Sequence, residues 1–275
     1  MIYMNLEFNR ARNIAFKALQ ATISESKNLN DVSEIAFQKK WLNKIQETKD
    51  IIADGWYCPP PMGMSVLTSG TNYPSRTSFD SLRNEINWPS DDLINWKENL
   101  LYVYCSPVDI ESGLPGDIAA TLYFGDDPLI KNHFKKTYKA TQEVINILTN
   151  IKNSRELFIL SQEIFAQYGL KNCVISQTDR IPLDLGHTLP SLQNIVGGHL
   201  SKEQKTEISK SRKFINGESS WDFQDGMQFT IEPQLVSLDD KYMPQVSYHY
   251  IVEKRNNNYI LCNDIDMLID EYQLK

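Results

Sequence analysis

Two short motifs in the C-terminal half of the chain carry side chains that can bind a metal ion. The first is GHTLP, which contains His187, and the second is FTIEPQLV, which contains Glu232. An imidazole nitrogen and a carboxylate oxygen are both ligands that zinc, iron and manganese accept. The alternative is that His187 is a loop histidine bonded to protein groups and Glu232 pairs with a lysine or arginine, so that the motifs are remnants of a lost site.

A third motif precedes these two and completes a pattern. GDIAATLYFG (116–125), GHTLP (186–190) and GMQFTIEP (226–233) occur in this order, each in a strand-like context. In order and spacing they resemble the family of methionine aminopeptidases, X-Pro peptidases and creatinases, roughly over residues 95–262. The resemblance implies an α+β pita-bread fold, in which a curved antiparallel sheet carries helices on one side.

The resemblance also implies a set of metal ligands. Metal-dependent members of that family hold two divalent ions with two aspartates, one histidine and two glutamates. Asp117, His187 and Glu232 match three of these places, whereas Ser106 and Ser247 stand at the other two. Because two carboxylates and a neutral imidazole offset the charge of one divalent ion, we predict a mononuclear site for iron, manganese or zinc.

Two further histidines are predicted to act in catalysis. His199 follows GHTLP at a longer distance than the family's second, substrate-facing histidine, so this role requires an insertion between them. His249 lies two residues beyond Ser247, and alternation along a strand puts both on one face, where His249 would be a base or a substitute ligand. The alternative for His249 is a packed or exposed side chain.

The segment WYCPPPMGM is rich in proline and aromatic residues, and we predict that its Trp56 and Tyr57 cover the mouth of a substrate pocket. Arg76 and Arg83 flank the sequence TSFDSL, and either could bind a substrate carboxylate with two hydrogen bonds. The alternatives are an aromatic loop that packs over a sheet and arginines that form surface ion pairs.

These features predict a divergent aminopeptidase-like or creatinase-like enzyme with one divalent ion, acting on a small peptide or amino-acid derivative. Hydrolysis is the expected reaction, and oxygen-dependent chemistry is the option if the ion is iron. Two alternatives stay open. One is a non-catalytic pseudopeptidase that binds a peptide or a partner protein, and the other is a metal-free hydrolase with a histidine base, as in creatinases. The resemblance also suggests a homodimer.

Composition narrows the range of partners. The chain has 275 residues, a net charge of -7 and no run of lysines or arginines, which argues against nucleic acid or a membrane surface. The four cysteines form no CxxC pair, so free thiols in a reducing compartment are expected. Because we find neither a signal peptide nor an apolar run of membrane-spanning length, the expected location is the cytoplasm.

Periodicity and capping residues predict the elements that position the site. Helices are expected over 6–25, from Asp31 with Glu34 at its capping-box position, over 127–151, over 153–168 and over 202–214, the last with Ser201 and Gln204 as a capping box. Strands are expected over 100–108 and 117–125, paired as a hairpin, and within 172–176, 227–236, 244–254 and 258–263. We predict a unit of N-terminal helices at residues 1–54 that packs on a pita-bread domain at residues 55–275.

Overall fold

The structure is a computed structural model. It describes residues 1–29, 31–57, 60–69, 76–97, 100–174, 179–192, 195 and 198–273. Among these residues, no helix is both long and apolar enough to span a membrane. Cys105, Cys173 and Cys262 are free thiols, as predicted, whereas Cys58 lies outside the described residues.

Helices and strands alternate along the chain in an α+β order. The helices are α1 (Arg10–Ser26), α2 (Glu34–Gln46), α3 (Pro128–Ile147), α4 (Ser154–Gln167), α5 (Lys202–Ser211) and α6 (Asp264–Tyr272). The strands are β1 (Ile2–Met4), β2 (Ile51–Ile52), β3 (Met64–Ser69), β4 (Leu100–Cys105), β5 (Val108–Asp109), β6 (Ile118–Tyr123), β7 (Leu170–Asn172), β8 (Asp184–His187), β9 (Phe214–Asn216), β10 (Gln228–Ile231), β11 (Gln234–Ser237), β12 (Val246–Ser247), β13 (Tyr250–Arg255) and β14 (Asn258–Leu261).

Three of the predicted helix starts are confirmed by their caps. The Asp127 side chain accepts a hydrogen bond from the backbone N–H of Leu129, with Pro128 at the first helical position. Asn153 caps α4 in the same way, and Ser201 with Gln204 forms the predicted capping box of α5. Each cap satisfies N–H groups that have no partner inside the helix, which is why these residues mark helix starts.

The predicted start of the second helix at Asp31 is wrong. Ser33 is the N-cap, and its hydroxyl accepts a hydrogen bond from the Ala36 N–H. Glu34 is not the reciprocal half of a capping box, because its buried carboxylate accepts from the backbone N–H groups of Thr68 and Ser90. These bonds join α2 to distant segments, so no local pattern could reveal them.

The sheets are antiparallel except for the parallel pair β1 and β14. β4 and β6 form the predicted hairpin, and β3 lies on the other side of β4, giving the order β3-β4-β6. A second sheet has the order β1-β14-β13-β10, and smaller ones have the orders β12-β11-β7, β8-β9 and β2-β5. An isolated bridge between Ala120 and Tyr248 links the first sheet to the chain just after β12.

One large apolar core joins the N-terminal helices to the rest of the chain. It contains Phe16 and Leu19 of α1 and Trp41 of α2 together with Ile118 of β6 and Ile231 of β10. A smaller cluster, which includes Ile52, Trp56 and Val108, packs against Leu200 and Ile208 around α5. The division of the chain at residue 55 stays a prediction, because both parts contribute to the large core.

Candidate metal centre

Four segments meet at one end of the sheets, and each carries one of the side chains singled out above. Asp117 precedes β6, His187 ends β8, Glu232 follows β10, and His249 lies between β12 and β13. The backbone N–H of Glu232 donates to the Leu185 carbonyl (2.8 Å), and that of His249 donates to the Ala119 carbonyl (3.0 Å). Backbone pairing therefore brings residues that are far apart in sequence to one point.

Each of the two histidines places a ring nitrogen near both carboxylates. His187 Nε2 lies 3.9 Å from Asp117 Oδ2 and 3.6 Å from Glu232 Oε1. His249 Nδ1 lies 3.6 Å from Asp117 Oδ1 and 3.5 Å from Glu232 Oε2. Ligands about 2.0–2.2 Å from one ion lie roughly 3–3.5 Å from each other, so the spacing is close to that of a coordination shell.

The ring of His187 is oriented for metal binding. Its Nδ1 donates a hydrogen bond to the Thr188 carbonyl (3.0 Å), so Nε2 presents its lone pair to the two carboxylates. Burial and the charge of Arg212 lower the pKa of His187 to about 3, so the ring is neutral at neutral pH. A neutral imidazole is the form that binds a metal.

The two carboxylates differ in their environments. Burial raises the pKa of Asp117, but the close approach of His249 (3.6 Å) and the charges of His249, His187 and Arg12 outweigh it, so the pKa lies below its ordinary value. For Glu232, burial and the nearby Asp117 and Asp184 raise the pKa to about 8, against the charges of His249 and Arg212. Two close, buried carboxylates resist full ionisation unless a cation lies between them.

Asp117, Glu232 and His249 form a group whose three ligand atoms all lie within 4.8 Å of one another. All three are buried. Among the described residues, Asp117 Oδ1 and His249 Nδ1 have no hydrogen-bond partner. The predicted ligand His187 is outside this group, although its Nε2 lies beside both carboxylates, and the roles of Asp117, His187 and Glu232 as ligands stay a prediction.

A cavity of about 120 Å³ opens onto this point. Three predicted substrate-binding residues line it, namely Trp56, Tyr57 and Arg83. The Trp56 ring packs edge-on against His187, with ring centroids 6.2 Å apart. The cavity is also lined by further aromatic, acidic and basic side chains: Phe79, Asp80, Tyr102, Tyr104, Asp184, Arg212 and Phe214.

Arg76, which was predicted to bind substrate, does not line the cavity. Its guanidinium lies outside the cavity lining and donates to the carboxylates of Glu34 (2.7 Å) and Asp92 (2.6 Å) and to the Trp88 carbonyl (2.6 Å). The buried Glu34 needs a counter-charge, and Arg76 supplies it. Arg76 therefore holds the start of α2 to residues 88–92.

His199 is the second predicted site residue that lies apart from the cavity. Its side chain is exposed and is not among the described residues that line the cavity. His199 lies in the segment between β8 and β9. The residue of β9 that pairs with His187 is Phe214. Arg212, two residues before that pairing, lines the cavity instead.

Arg212 is the main cavity residue that the sequence analysis missed. Its Cζ lies 4.5 Å from the centroid of the Trp56 ring and 5.0 Å from that of Phe214. Cation–π contacts of this kind fix a guanidinium by its faces. The helix predicted over 202–214 ends at Ser211, and the strand-like KFIN (213–216), which leads into β9 beside His187, was the usable signal.

Comparison with solved structures shows that the chain has a known fold. X-Pro aminopeptidase from Thermotoga maritima superposes with a TM-score of 0.62 at 11% identity, covering 92% of this chain and 58% of that protein. Prolidase from Pyrococcus horikoshii gives 0.61 at 16% identity, covering 91% and 58%. Methionine aminopeptidase from Rickettsia prowazekii gives 0.57 at 12% identity, covering 92% and 94%.

The likeness is one of fold and not of close sequence. No protein-family model matches the chain, and no curated protein matches its sequence. This chain spans about three fifths of the X-Pro aminopeptidase and the prolidase, and nearly all of the methionine aminopeptidase. The predicted α+β architecture is confirmed: the chain has the pita-bread fold of X-Pro peptidases and methionine aminopeptidases.

Proposed function

We propose that the chain is a hydrolase of amide bonds in small peptides or amino-acid derivatives, dependent on one divalent metal ion. Asp117, Glu232, His187 and His249 are the proposed ligands. The observation that carries the proposal is that both histidines place a ring nitrogen within 3.9 Å of the two carboxylates, and that all four side chains are buried and line one cavity. The similar structures are those of aminopeptidases and a prolidase, which supports the reaction class.

The chemistry of the donor set fits a divalent ion. Buried polar atoms are normally hydrogen-bonded, so Asp117 Oδ1 and His249 Nδ1, which have no such partner among the described residues, are explained by a ligand between them. Two carboxylates and two neutral imidazoles balance one divalent charge, and oxygen with nitrogen donors suit zinc, iron or manganese.

The proposal is for one ion because serines stand where two more carboxylates would be needed. Ser106 is buried, and its hydroxyl accepts a hydrogen bond from the Tyr57 N–H (3.2 Å). Ser247 is also buried, and its N–H donates to the Thr121 hydroxyl (2.9 Å). Neither side chain can balance the charge of a second divalent ion.

When bound, a divalent ion would polarise an amide carbonyl and make water a better nucleophile. The chain's own residues shape the reaction around it. Burial raises the pKa values of Tyr102 and Tyr104 well above the ordinary range, so both hydroxyls stay protonated and can donate to a substrate. The rings of Trp56 and Phe214 flank His187 and limit the access of bulk water to it.

Metal stoichiometry tests the proposal. Protein from cells supplied with manganese, iron and zinc should contain about one ion per chain, and Asp117→Ala or His187→Ala should weaken binding by at least about tenfold. His133→Ala is the matched control, because His133 is also buried and also bonds a carbonyl, that of Pro244 (2.8 Å), away from the site. A metal content near zero, or a metal content that the two site substitutions do not change, would contradict the proposal.

Activity separates the remaining alternatives. Hydrolysis of dipeptides should stop when a chelator removes the ion and return when the ion is restored. Turnover that survives chelation would instead support the metal-free hydrolase, with His249 between Asp117 and Glu232 as its base. Binding of a peptide or protein without metal and without turnover would support the pseudopeptidase.

A further inference from the structure

Two polar residues that line the cavity, Asp184 and Gln234, have no part in the proposed metal binding. Asp184 is only 1% exposed, and its Oδ1 accepts no hydrogen bond from any described residue. Because buried polar atoms are normally hydrogen-bonded, an unpartnered carboxyl oxygen in a residue of the cavity wall indicates a hydrogen-bond donor on a ligand.

A β-bulge turns the side chain of Asp184 toward the cavity. β8 and β9 pair at Asp184 with Asn216 and at His187 with Phe214, so β8 has one residue more than β9 between these two pairs. An extra residue in a strand puts the side chains on either side of it onto the same face. Asp184 therefore faces the same side as His187, and both line the cavity.

The buried side chain of Asn172 joins the backbones of Asp184 and Gln234. Its Nδ2 donates to the Asp184 carbonyl (2.6 Å), and its Oδ1 accepts from the Gln234 N–H (3.1 Å). Leu235 belongs to the large apolar core, so alternation along β11 turns the Gln234 side chain to the opposite face, toward the cavity. A carboxyl group and a carboxamide group are therefore held close together in the cavity wall.

A primary amide is the ligand group that matches this pair. Its N–H donates to a carboxyl oxygen, and its carbonyl accepts from an amide N–H or a carboxyl O–H. Burial and the charge of the nearby Asp179 raise the pKa of Asp184 well above its usual range, and the opposing charge of Arg212 does not reverse this shift. The shift favours the neutral carboxyl, which suits a neutral amide better than an ammonium or a carboxylate group.

We propose that Asp184 and Gln234 determine specificity by binding a primary carboxamide of the substrate, such as an asparagine or glutamine side chain. The assignment rests on the proposed function, in which an amino-acid derivative is hydrolysed at the metal centre. Val174 and Phe214 also line the cavity and offer apolar contact for the methylene groups of such a side chain.

Calorimetric titration with matched amino acids, in the presence of Mn²⁺, tests this specificity. L-Asparagine and L-glutamine carry the carboxamide, whereas L-aspartate and L-glutamate replace it with a carboxylate of the same shape. L-Leucine is the apolar isostere of asparagine, and L-ornithine carries an ammonium group at the length of glutamine. The better-bound amide should bind at least about tenfold more tightly than the acids, leucine or ornithine, because only the amide satisfies both side chains.

Substitutions at the two positions separate their contributions. Asp184→Leu should abolish the preference for the amide, whereas Asp184→Asn keeps a donor and an acceptor in the same shape and should retain it within about threefold. Gln234→Leu, at a half-buried position, should weaken amide binding by roughly 3–30-fold and leave leucine binding unchanged. Asp80→Leu is the matched control, because Asp80 also lines the cavity but its Oδ1 already accepts from the Ser81 N–H and the Asn87 side chain. This control should leave the preference unchanged.

The assignment is overturned if an acid, leucine or ornithine binds as tightly as the better amide, if neither amide binds, or if both leucine variants of Asp184 and Gln234 keep the preference. Loss of the preference in Asp184→Asn would also contradict it, because Asp184 would then act through its charge. A protein that prefers the amides but holds no ion would contradict the proposed hydrolysis and not this assignment. One ion per chain without an amide preference would contradict the assignment alone.

Discussion

Arg12 and Asp264 form an ion pair in which neither side chain has measurable exposure, with Arg12 Nε 2.7 Å from Asp264 Oδ2. The same guanidinium donates hydrogen bonds to the backbone carbonyls of Asp117 and His249. Arg12, a side chain of α1, therefore holds the backbone of two of the four proposed ligands in place. The N-terminal helices, which the sequence pattern treated as a separate unit, are part of the support of the site.

Replacing Arg12 should cost both stability and metal affinity. Arg12→Met leaves the Asp264 carboxylate buried without its partner, so the free energy of unfolding should fall by about 3–5 kcal/mol. Chemical denaturation measures this change. The exposed pair of Lys131 and Asp126 is the comparison, and Lys131→Met should have no measurable effect.

A double substitution separates the positioning role of Arg12 from its effect on folding. Arg12→Met with Asp264→Leu removes both charges, so much of the lost stability should return. Metal affinity should stay below that of the unmodified protein, because the carbonyls of Asp117 and His249 still lack their donor. Full recovery of metal affinity in the double variant would show that Arg12 serves folding alone.

His249→Gln distinguishes a ligand from a base. As a ligand, His249 contributes one of three donor atoms that all lie within 4.8 Å of one another, so its loss should weaken metal binding by about 10–100-fold. As a base alone, its loss would lower kcat while leaving the metal dissociation constant unchanged. Metal titration monitored by calorimetry, together with steady-state kinetics, separates these two results.

The sequence predicted the elements well where the signals are local. The caps at Asp127, Asn153 and Ser201 are each made between residues a few positions apart, so the chain reveals them without its fold. The misplaced start of α2 shows the opposite case. Glu34 resembles a capping residue, but its carboxylate bonds to segments that only tertiary structure brings near.

In the candidate site, too, some residues were predictable from sequence patterns and others depended on tertiary structure. Motif order predicted that Asp117, His187 and Glu232 belong together, and alternation along the last long strands raised His249 as an inward-facing residue. Arg212 was not predicted as a cavity residue, because its position depends on the length of the segment between β8 and β9, and no local sequence pattern determines that length. In the sequence, Arg76 and Arg83 look equally able to bind a substrate. In the structure, Arg76 pairs with the buried Glu34, a contact that the sequence does not reveal.

Gly186 is required by close packing beside the site. A Cβ at this position would lie 2.2 Å from the Thr230 carbonyl oxygen and 2.8 Å from Thr230 Oγ1, which also accepts from the His187 N–H. Gly186→Ala should therefore lower the free energy of unfolding by about 1–3 kcal/mol and displace His187. Thermal unfolding and metal titration measure the two effects.

Gly198→Ala provides the control for that substitution. Gly198 also has a positive φ (+72°), but a Cβ there would meet nothing within 4 Å. Gly198→Ala should lower the free energy of unfolding by about 1–2 kcal/mol, through backbone strain alone, and leave metal affinity unchanged. If both variants bound metal equally well, close packing at Gly186 would not control the position of His187.

His133 should make the fold sensitive to mild acid. Burial lowers the pKa of His133 from 6.5 in the folded protein, and its Nε2–H donates to the Pro244 carbonyl just before β12. Below pH 6.5 the unfolded chain therefore binds a proton that the folded chain does not, so stability is present above that pH and falls as pH decreases through it. His133→Gln keeps an N–H donor for Pro244 but cannot titrate, so the acid-induced loss should shrink by up to about 1.4 kcal/mol per pH unit. Urea denaturation at about pH 7.5 and about pH 5.5 measures the difference, and parallel losses in both proteins would mean that His133 is protonated in the folded state.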